Sequence, residues 1–317
     1  MTSGIGVLLD HVRVSVADLM AQASVAERCG AQSLWLTQVP NQRDSGILLA
    51  ALAASTHNVA LGTAVQPLYT APPVHAAQIA LTLDELSHGR LMLGLGVGHR
   101  ILGEWMLGGT YTPQVAAMQE YVTIVRSLIQ DGEVHFDGRW YSGHTAYSQP
   151  RRPELPVYLG SSSPRMLELA GEFADGIVLW MCTPSFIRDR VVPAVTAGKA
   201  RRRDGGNHRF AIAVMLSVAL TDKPADGRER ARDLFSGYAR MENYQRLMAA
   251  NGFTGGIPAL TEDSVIDQLA AIGDESDIAA RIADYRAAGA TEVIVSPIAI
   301  DQHKTDELRA VLKAVVS

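Results

Sequence analysis

Short runs of Val, Ile and Leu with little polar alternation recur along the chain, separated by longer stretches whose apolar residues stand three and four apart. The short runs are Ile5–Leu9, Ser33–Thr37, Val59–Val65, Leu91–Leu95, Leu155–Gly160, Gly176–Met181, Phe210–Leu220 and Glu292–Ser296. Unalternating runs of this kind read as strands buried on both faces. The stretches between them, Val16–Arg28, Ile47–Thr56, Val74–Leu86, Val115–Gln130, Arg165–Phe173, Ser185–Arg202 and a long one from Arg228 to Ala288, read as helices. Strands joined by helical crossovers make a parallel sheet. Eight such units in 317 residues suit a closed (β/α)8 TIM barrel better than an open doubly wound sheet. No linker rich in Pro, Gly or Ser and no internal repeat divides the chain, so the pattern predicts an α/β fold in one domain over residues 1–317. Two irregular stretches are expected as insertions near the barrel mouth. Asp131–Pro153 carries Trp140 and Tyr141 in a hairpin, and Ala249–Asp274 holds Gly252, Gly255, Gly256 and Pro258.

Composition narrows the function. With 47% hydrophobic and 19% charged residues, the chain buries a large core. Its longest nearly apolar stretch, Phe210–Leu220, falls short of the roughly 20 residues a bilayer crossing needs. Met1–Asp10 lacks a basic start followed by an apolar block, so the expectation is no membrane span and a cytoplasmic location. Cys29 and Cys182 lie far apart with no second pair, which leaves no disulfide framework and no four-thiolate zinc site. Nine scattered histidines without short ligand spacing give no reason to expect a metal. A net charge of −5, from 28 basic and 33 acidic residues, supplies no pull toward nucleic acid, and the expected partner is a small-molecule substrate. Familiar motifs fail: the third glycine of GxGxxG would fall on His99, and Pro193 stands where a GxxxxGK loop needs glycine.

In a parallel barrel, chemistry collects at the C-terminal ends of the strands, so the residues just after each run matter most. After the third run, Gly62-Thr63-Ala64-Val65-Gln66-Pro67 offers small residues where backbone could bulge against a flat ligand, or else a plain strand end with a turn proline. After the fourth, Gly94 to Gly98 thins the side chains so that a ligand could approach the main chain, and His99 and Arg100 follow. After the fifth, Gly160-Ser161-Ser162-Ser163-Pro164-Arg165 leads into a helix. Free N–H groups, hydroxyls and a guanidinium there make an anion site, although Ser163 as a simple N-cap satisfies the same sequence. Arg151-Arg152 and Arg201-Arg202-Arg203 read as solvated charge.

These residues resemble the luciferase-like monooxygenase superfamily, and within it the branch that uses the deazaflavin coenzyme F420. The resemblance is carried by Val59–Pro67, Ala80–Arg90 with Leu91–Gly98, Glu120-Tyr121 leading to Phe136–Tyr141, Leu155–Gly160 with Pro164–Gly171, Ala174–Trp180 and Asp277–Val295. It implies a (β/α)8 barrel with the cofactor at the strand C-termini and a non-proline cis peptide at Ala64-Val65 supporting the ring face. By position, Gln38, Thr63, Ala64, Val65, Gln66, Val97, Gly98 and His99 would surround the ring. Gly160, Ser161, Ser162, Ser163, Arg165 and Met166 would hold the phosphate-bearing tail, with Arg100 or Arg151 as helpers. Departures are visible too: Gln38-Val39 stands where many relatives carry an acidic residue and a histidine, and His99 where some carry a carboxylate. The implied activity is hydride transfer between F420 and a small organic substrate, with His99 handling the proton, Glu104 as the alternative acid, and Trp35, Trp105, Trp180 and Tyr69 walling the substrate. An FMN-dependent monooxygenase and a non-catalytic flavin-binding protein remain open beside it. Relatives of this kind are often dimers, and the alanine run Ala50–Ala54 would permit a close helix contact, so a homodimer is expected.

Overall fold

The computed structural model describes residues 4–100, 102–110, 113–202, 209–253, 262–298 and 304–316. Eight parallel strands close on themselves: β1 (Gly4–Leu8), β2 (Ser33–Leu36), β3 (Ala60–Thr63), β4 (Leu91–Gly96), β5 (Val157–Gly160), β6 (Gly176–Trp180), β7 (Ala211–Leu220) and β8 (Glu292–Pro297). Each pairs with the next, and β8 returns to β1 with Gly4 beside Glu292 and Val7 beside Val295, which completes the (β/α)8 barrel. Each of the eight barrel strands is therefore paired on both sides. All eight predicted strands are present, within two residues at most ends.

The helices follow their sequence signals. In α1 (Val16–Arg28) the Ser15 hydroxyl accepts from Asp18 N–H at 3.1 Å, and in α2 (Ser45–Ser55) Asp44 accepts from Ile47 N–H at 3.0 Å. Then come α3 (Pro73–Leu86), α4 (Gln114–Gln130) and α5 (Pro164–Phe173), followed by a helical run Pro184–Lys199 that passes through one π-turn at Ile187–Val191. The long helical stretch expected over Arg228–Ala288 is not continuous. It resolves into Pro224–Ala239, Glu242–Ala250, Asp263–Leu269 and Glu275–Ala287, with a strand, Ala270–Gly273, in between. That strand escaped the periodicity because four residues rich in alanine carry no period, yet it pairs with Ser217–Leu220 at the end of β7. The chain ends in a helix over Lys304–Val316.

The Asp131–Pro153 stretch does form a hairpin, Glu133–Asp137 against Ser142–Ala146. It sits elsewhere than expected, because α4 descends to the N-terminal end of the barrel before the hairpin begins and none of the hairpin residues lines the mouth cavity. Glu120 of α4 fastens it, accepting from the N–H groups of Arg139, Trp140 and Tyr141 at 2.9, 2.7 and 2.9 Å. One hydrophobic layer packs between strands and helices, while Trp35, Ala64, Tyr158, Val178, Ala213 and Ile294 fill the barrel interior. Trp35 is fully buried, and its indole N–H reaches Ser33 Oγ at 2.7 Å and Glu292 Oε1 at 3.1 Å. It therefore plugs the barrel instead of walling a substrate, a correction that follows from where its polar edge finds partners.

Candidate active site

A cavity of about 2480 Å³ opens at the C-terminal ends of the strands. Its lining takes Leu8 to Arg13 after β1, Thr37 to Val39 after β2, Ala64 and Val65 after β3, Val97 to Arg100 after β4, Gly160 to Arg165 after β5, and Trp180, Met215 and Ser296 from β6, β7 and β8. The helices Pro224–Ala239 and Glu242–Ala250 roof it with residues such as Tyr238 and Tyr244. The turns that close β3, β4 and β5 thus converge on one space.

At the end of β3 the Ala64-Val65 peptide is cis, as the resemblance implied, and Val65 projects over the barrel interior. The surrounding glycines exist to seat this projection. A Cβ on Gly94 would stand 2.0 Å from the Thr63 carbonyl oxygen, one on Gly96 2.3 Å from Val65 Cγ2, and one on Gly160 2.7 Å from Val65 Cγ1. Their role is packing around the bulge, which corrects the expectation that glycine there opens the main chain of β4 to a ligand. Gly98 differs: its φ of +64° and a Cβ that would meet the Tyr69 ring at 2.3 Å or less both demand glycine.

Of the expected ring-side residues, Gln38, Ala64, Val65, Val97, Gly98 and His99 line the cavity, and Thr63 and Gln66 do not. Thr63 Oγ1 donates to Gly94 O and accepts from Gly94 N–H, both at 2.8 Å, so it stitches β3 to β4. Gln66 turns to Thr70. Gln38 is informative: the Ser45 N–H and hydroxyl donate to its Oε1 at 2.8 and 2.7 Å, which leaves Nε2 as the end directed elsewhere. Where an acid would accept, this chain presents a neutral amide donor.

In the anion loop Gly160, Ser161, Ser162, Ser163 and Arg165 all line the cavity, whereas Met166 is buried in the core at 1% exposure. Ser163 occupies the cap position of α5 but makes no side-chain capping bond. Its N–H instead donates to Ser161 Oγ at 3.2 Å. Simple capping does not account for these hydroxyls, and the helix end with Arg165 has the donor set an anionic tail requires. That loop and the projecting Val65 face are the features that fit a planar ring with an anionic tail.

His99 is half-buried, with its imidazole 5.6 Å from the Tyr244 ring and hydrogen-bonded to the Asn243 side chain. Burial lowers its pKa, and the Asn243 bond opposes this in part. Glu104 lies at the rim in an ion pair with Arg100 at 2.7 Å. Trp105, although 81% exposed, lines the cavity together with Tyr69 and Trp180. Sequence reading missed His11 after β1. Its ring bonds to the Leu9 backbone, its Nε2 is buried without a partner among the described residues, and burial lowers its pKa. Gln22 Nε2 of α1 is in the same condition. The roof residues Tyr238, Asn243 and Tyr244 were missed too, because they lie inside an amphipathic stretch whose period announces a helix and nothing more.

Residues 3–292 match the family described as luciferase-like monooxygenase. The chain belongs to this family. Among curated members it is 27% identical to a 5,10-methylenetetrahydromethanopterin reductase of Archaeoglobus fulgidus, over 92% of this chain and 93% of that one. An F420-dependent hydroxymycolic acid dehydrogenase of Mycobacterium tuberculosis is 30% identical over 73% of this chain and 66% of its own. The solved coenzyme F420-dependent tetrahydromethanopterin reductase of Methanopyrus kandleri superposes with a TM-score of 0.84 at 20% identity, covering 100% and 99% of the two chains. An F420-dependent secondary alcohol dehydrogenase in complex with an F420-acetone adduct gives 0.82 at 20% identity, over 99% of each chain. These superpositions establish that the luciferase-like barrel is shared over its whole length.

Proposed function

We propose that the chain is a coenzyme F420-dependent oxidoreductase that moves a hydride between the deazaflavin and a small organic substrate. The observation that carries this reading is the convergence, at one barrel mouth, of the Val65 projection and the Ser161–Arg165 anion loop. An F420-dependent relative at 30% identity supports it. The bound deazaflavin would supply the hydride chemistry. Val65 and Gly98 support the ring face, Gln38 Nε2 offers a donor to its polar edge, and Ser162, Ser163 and Arg165 hold the anionic tail. His99, kept in its neutral form by burial, holds and moves the substrate proton at its ring nitrogen, and the roof helices keep water from the reacting atoms. Glu104, already paired with Arg100 at the rim, is the weaker acid candidate. The working unit is one domain over residues 1–317 in the cytoplasm, assembled as a homodimer; light scattering of the purified chain reads the assembly. Titration of the apoprotein with F420 and with FMN tests the whole reading: F420 binds in the micromolar range or tighter and FMN at least tenfold more weakly. FMN binding tighter than F420 would overturn it.

A further inference from the structure

The hairpin brings together two histidines that no short ligand spacing connects in the sequence. In the antiparallel ladder of Glu133–Asp137 against Ser142–Ala146, His135 stands directly opposite His144. Their ring centroids lie 6.0 Å apart, with the planes inclined at 45°. Alternation along the strands settles which way they face. Val134 and Gly143 turn inward, and a Cβ on Gly143 would press on Ile124 of α4 and Val74 of α3 at 3.1 and 3.2 Å, so Glu133, His135, Asp137 and His144 share the exposed face. The register is pinned, because Glu120 holds the turn by the N–H groups of Arg139, Trp140 and Tyr141.

Asp137 Oδ1 meets His144 Nε2 at 2.9 Å. That bond assigns the proton of the neutral ring to Nε2 and its lone pair to Nδ1, the arrangement in which an outer carboxylate steers an imidazole ligand. An ion about 2.1 Å from one nitrogen of each imidazole would set the two centroids about 5 Å apart, so small side-chain rotations close the gap. Both imidazoles stand in water's reach, with the carboxylates of Glu133 and Asp137 on the same face to favour a dication. Nitrogen donors select the late first-row metals over Mg2+ and Ca2+. Among the described residues no group of three or more His, Cys, Asp or Glu is placed to hold a metal ion, so two imidazoles are the protein's share and water completes the shell.

We infer that His135 and His144 chelate one Cu2+, Ni2+ or Zn2+ ion across the hairpin, with Asp137 holding His144 in the ligating tautomer. The ion ties the two strands to each other and is exchangeable, since half its shell is solvent. No hairpin residue lines the mouth cavity, so this site stands apart from the cofactor reading and neither depends on the other.

Calorimetric titration of the full-length, tag-free protein with CuCl2, ZnCl2 and MgCl2 in a non-chelating buffer tests the assignment. One Cu2+ binds per chain with a Kd of about 10 µM or tighter, Zn2+ binds more weakly, and Mg2+ gives no saturable heat. His135→Ala and His144→Ala each lower Cu2+ affinity at least about tenfold, and Asp137→Asn lowers it a few-fold. His75→Ala, which removes an exposed histidine of α3, leaves it unchanged. Electron paramagnetic resonance of the Cu2+ form shows hyperfine coupling to two imidazole nitrogens, and to one in His144→Ala. Without metal the variants melt like the unaltered protein, because both side chains are exposed; saturating Zn2+ raises the melting temperature of the unaltered protein and not that of the double variant. Cu2+ affinity unchanged in the His135→Ala, His144→Ala double variant, or no saturable binding below about 1 mM in the unaltered protein, overturns the inference.

Discussion

The two ends of the barrel treat their polar side chains in opposite ways. At the N-terminal end four strong groups are consumed by the chain itself. Arg90 donates to the carbonyls of Ser87, Val59, Ala53 and Thr56 and to the Thr56 hydroxyl, and Arg152 grips both oxygens of Asp84 at 2.9 and 2.7 Å. Arg126 holds Asp175 at 2.8 Å, and Glu292 takes Ser33 and Trp35. At the C-terminal end His11 Nε2, Gln22 Nε2 and Trp180 Nε1 are buried without partners among the described residues. The same fold thus spends its charges on holding strand starts together at one end, and leaves these three groups unsatisfied beside the cavity at the other.

The sharpest break comes from the stability end. Asp84 is 3% exposed and also accepts from Leu91 N–H, so Asp84→Ala strands Arg152 and the start of β4. Unfolding by denaturant should register a loss of about 4 kcal/mol, with cofactor affinity of the folded fraction unchanged. A loss below about 1 kcal/mol would mean the pair is not structural.

Next is the mouth. Replacing His99 by Gln should cut turnover by at least about a hundredfold while F420 affinity and melting temperature stay put. Since burial lowers its pKa from 6.5, the neutral base prevails at pH 7 and the acidic limb of kcat/KM lies below 6.5. Unaltered turnover removes His99 from the mechanism.

Smaller is the Glu27 effect. Burial acts to raise its pKa, but the N–H groups of Asn58, His57 and Val59 outweigh this and lower it below 4.5. A carboxylate depressed on folding contributes stability above its unfolded pKa and loses it as pH falls through the folded one. Unfolding free energies of the natural chain and Glu27→Ala, read by denaturant titration, should therefore differ by about 1–2 kcal/mol at pH 7 and converge well below pH 4.5. Smallest is Arg165→Ala, where an exposed guanidinium should change F420 affinity about fivefold, and less so at high salt.

The fold was legible because β-branched, unalternating runs such as Gly176–Met181 have one physical reading, burial on both faces. The Ala64-Val65 cis peptide was legible through sequence likeness, since it sits at a strand end where local spacing survives. What escaped were residues whose function depends on distant neighbours. Nothing around Trp35 says that Glu292 will take its N–H and keep it in the core, and nothing around Thr63 says that it will knit to Gly94. Tyr244 and His11 were invisible for the same reason: a lone side chain on a helix or after a strand announces neither its depth nor its company.

One consequence follows from the strand that periodicity overlooked. The chain leaves β7 at Leu220 to build the two roof helices and comes back as Ala270–Gly273, laid beside Ser217–Leu220. Departure and return share a single ladder, so this excursion works like a tab sewn on at one seam. Evolution can lengthen, shorten or repaint that tab to admit different guests while the staves of the cask beneath keep their register.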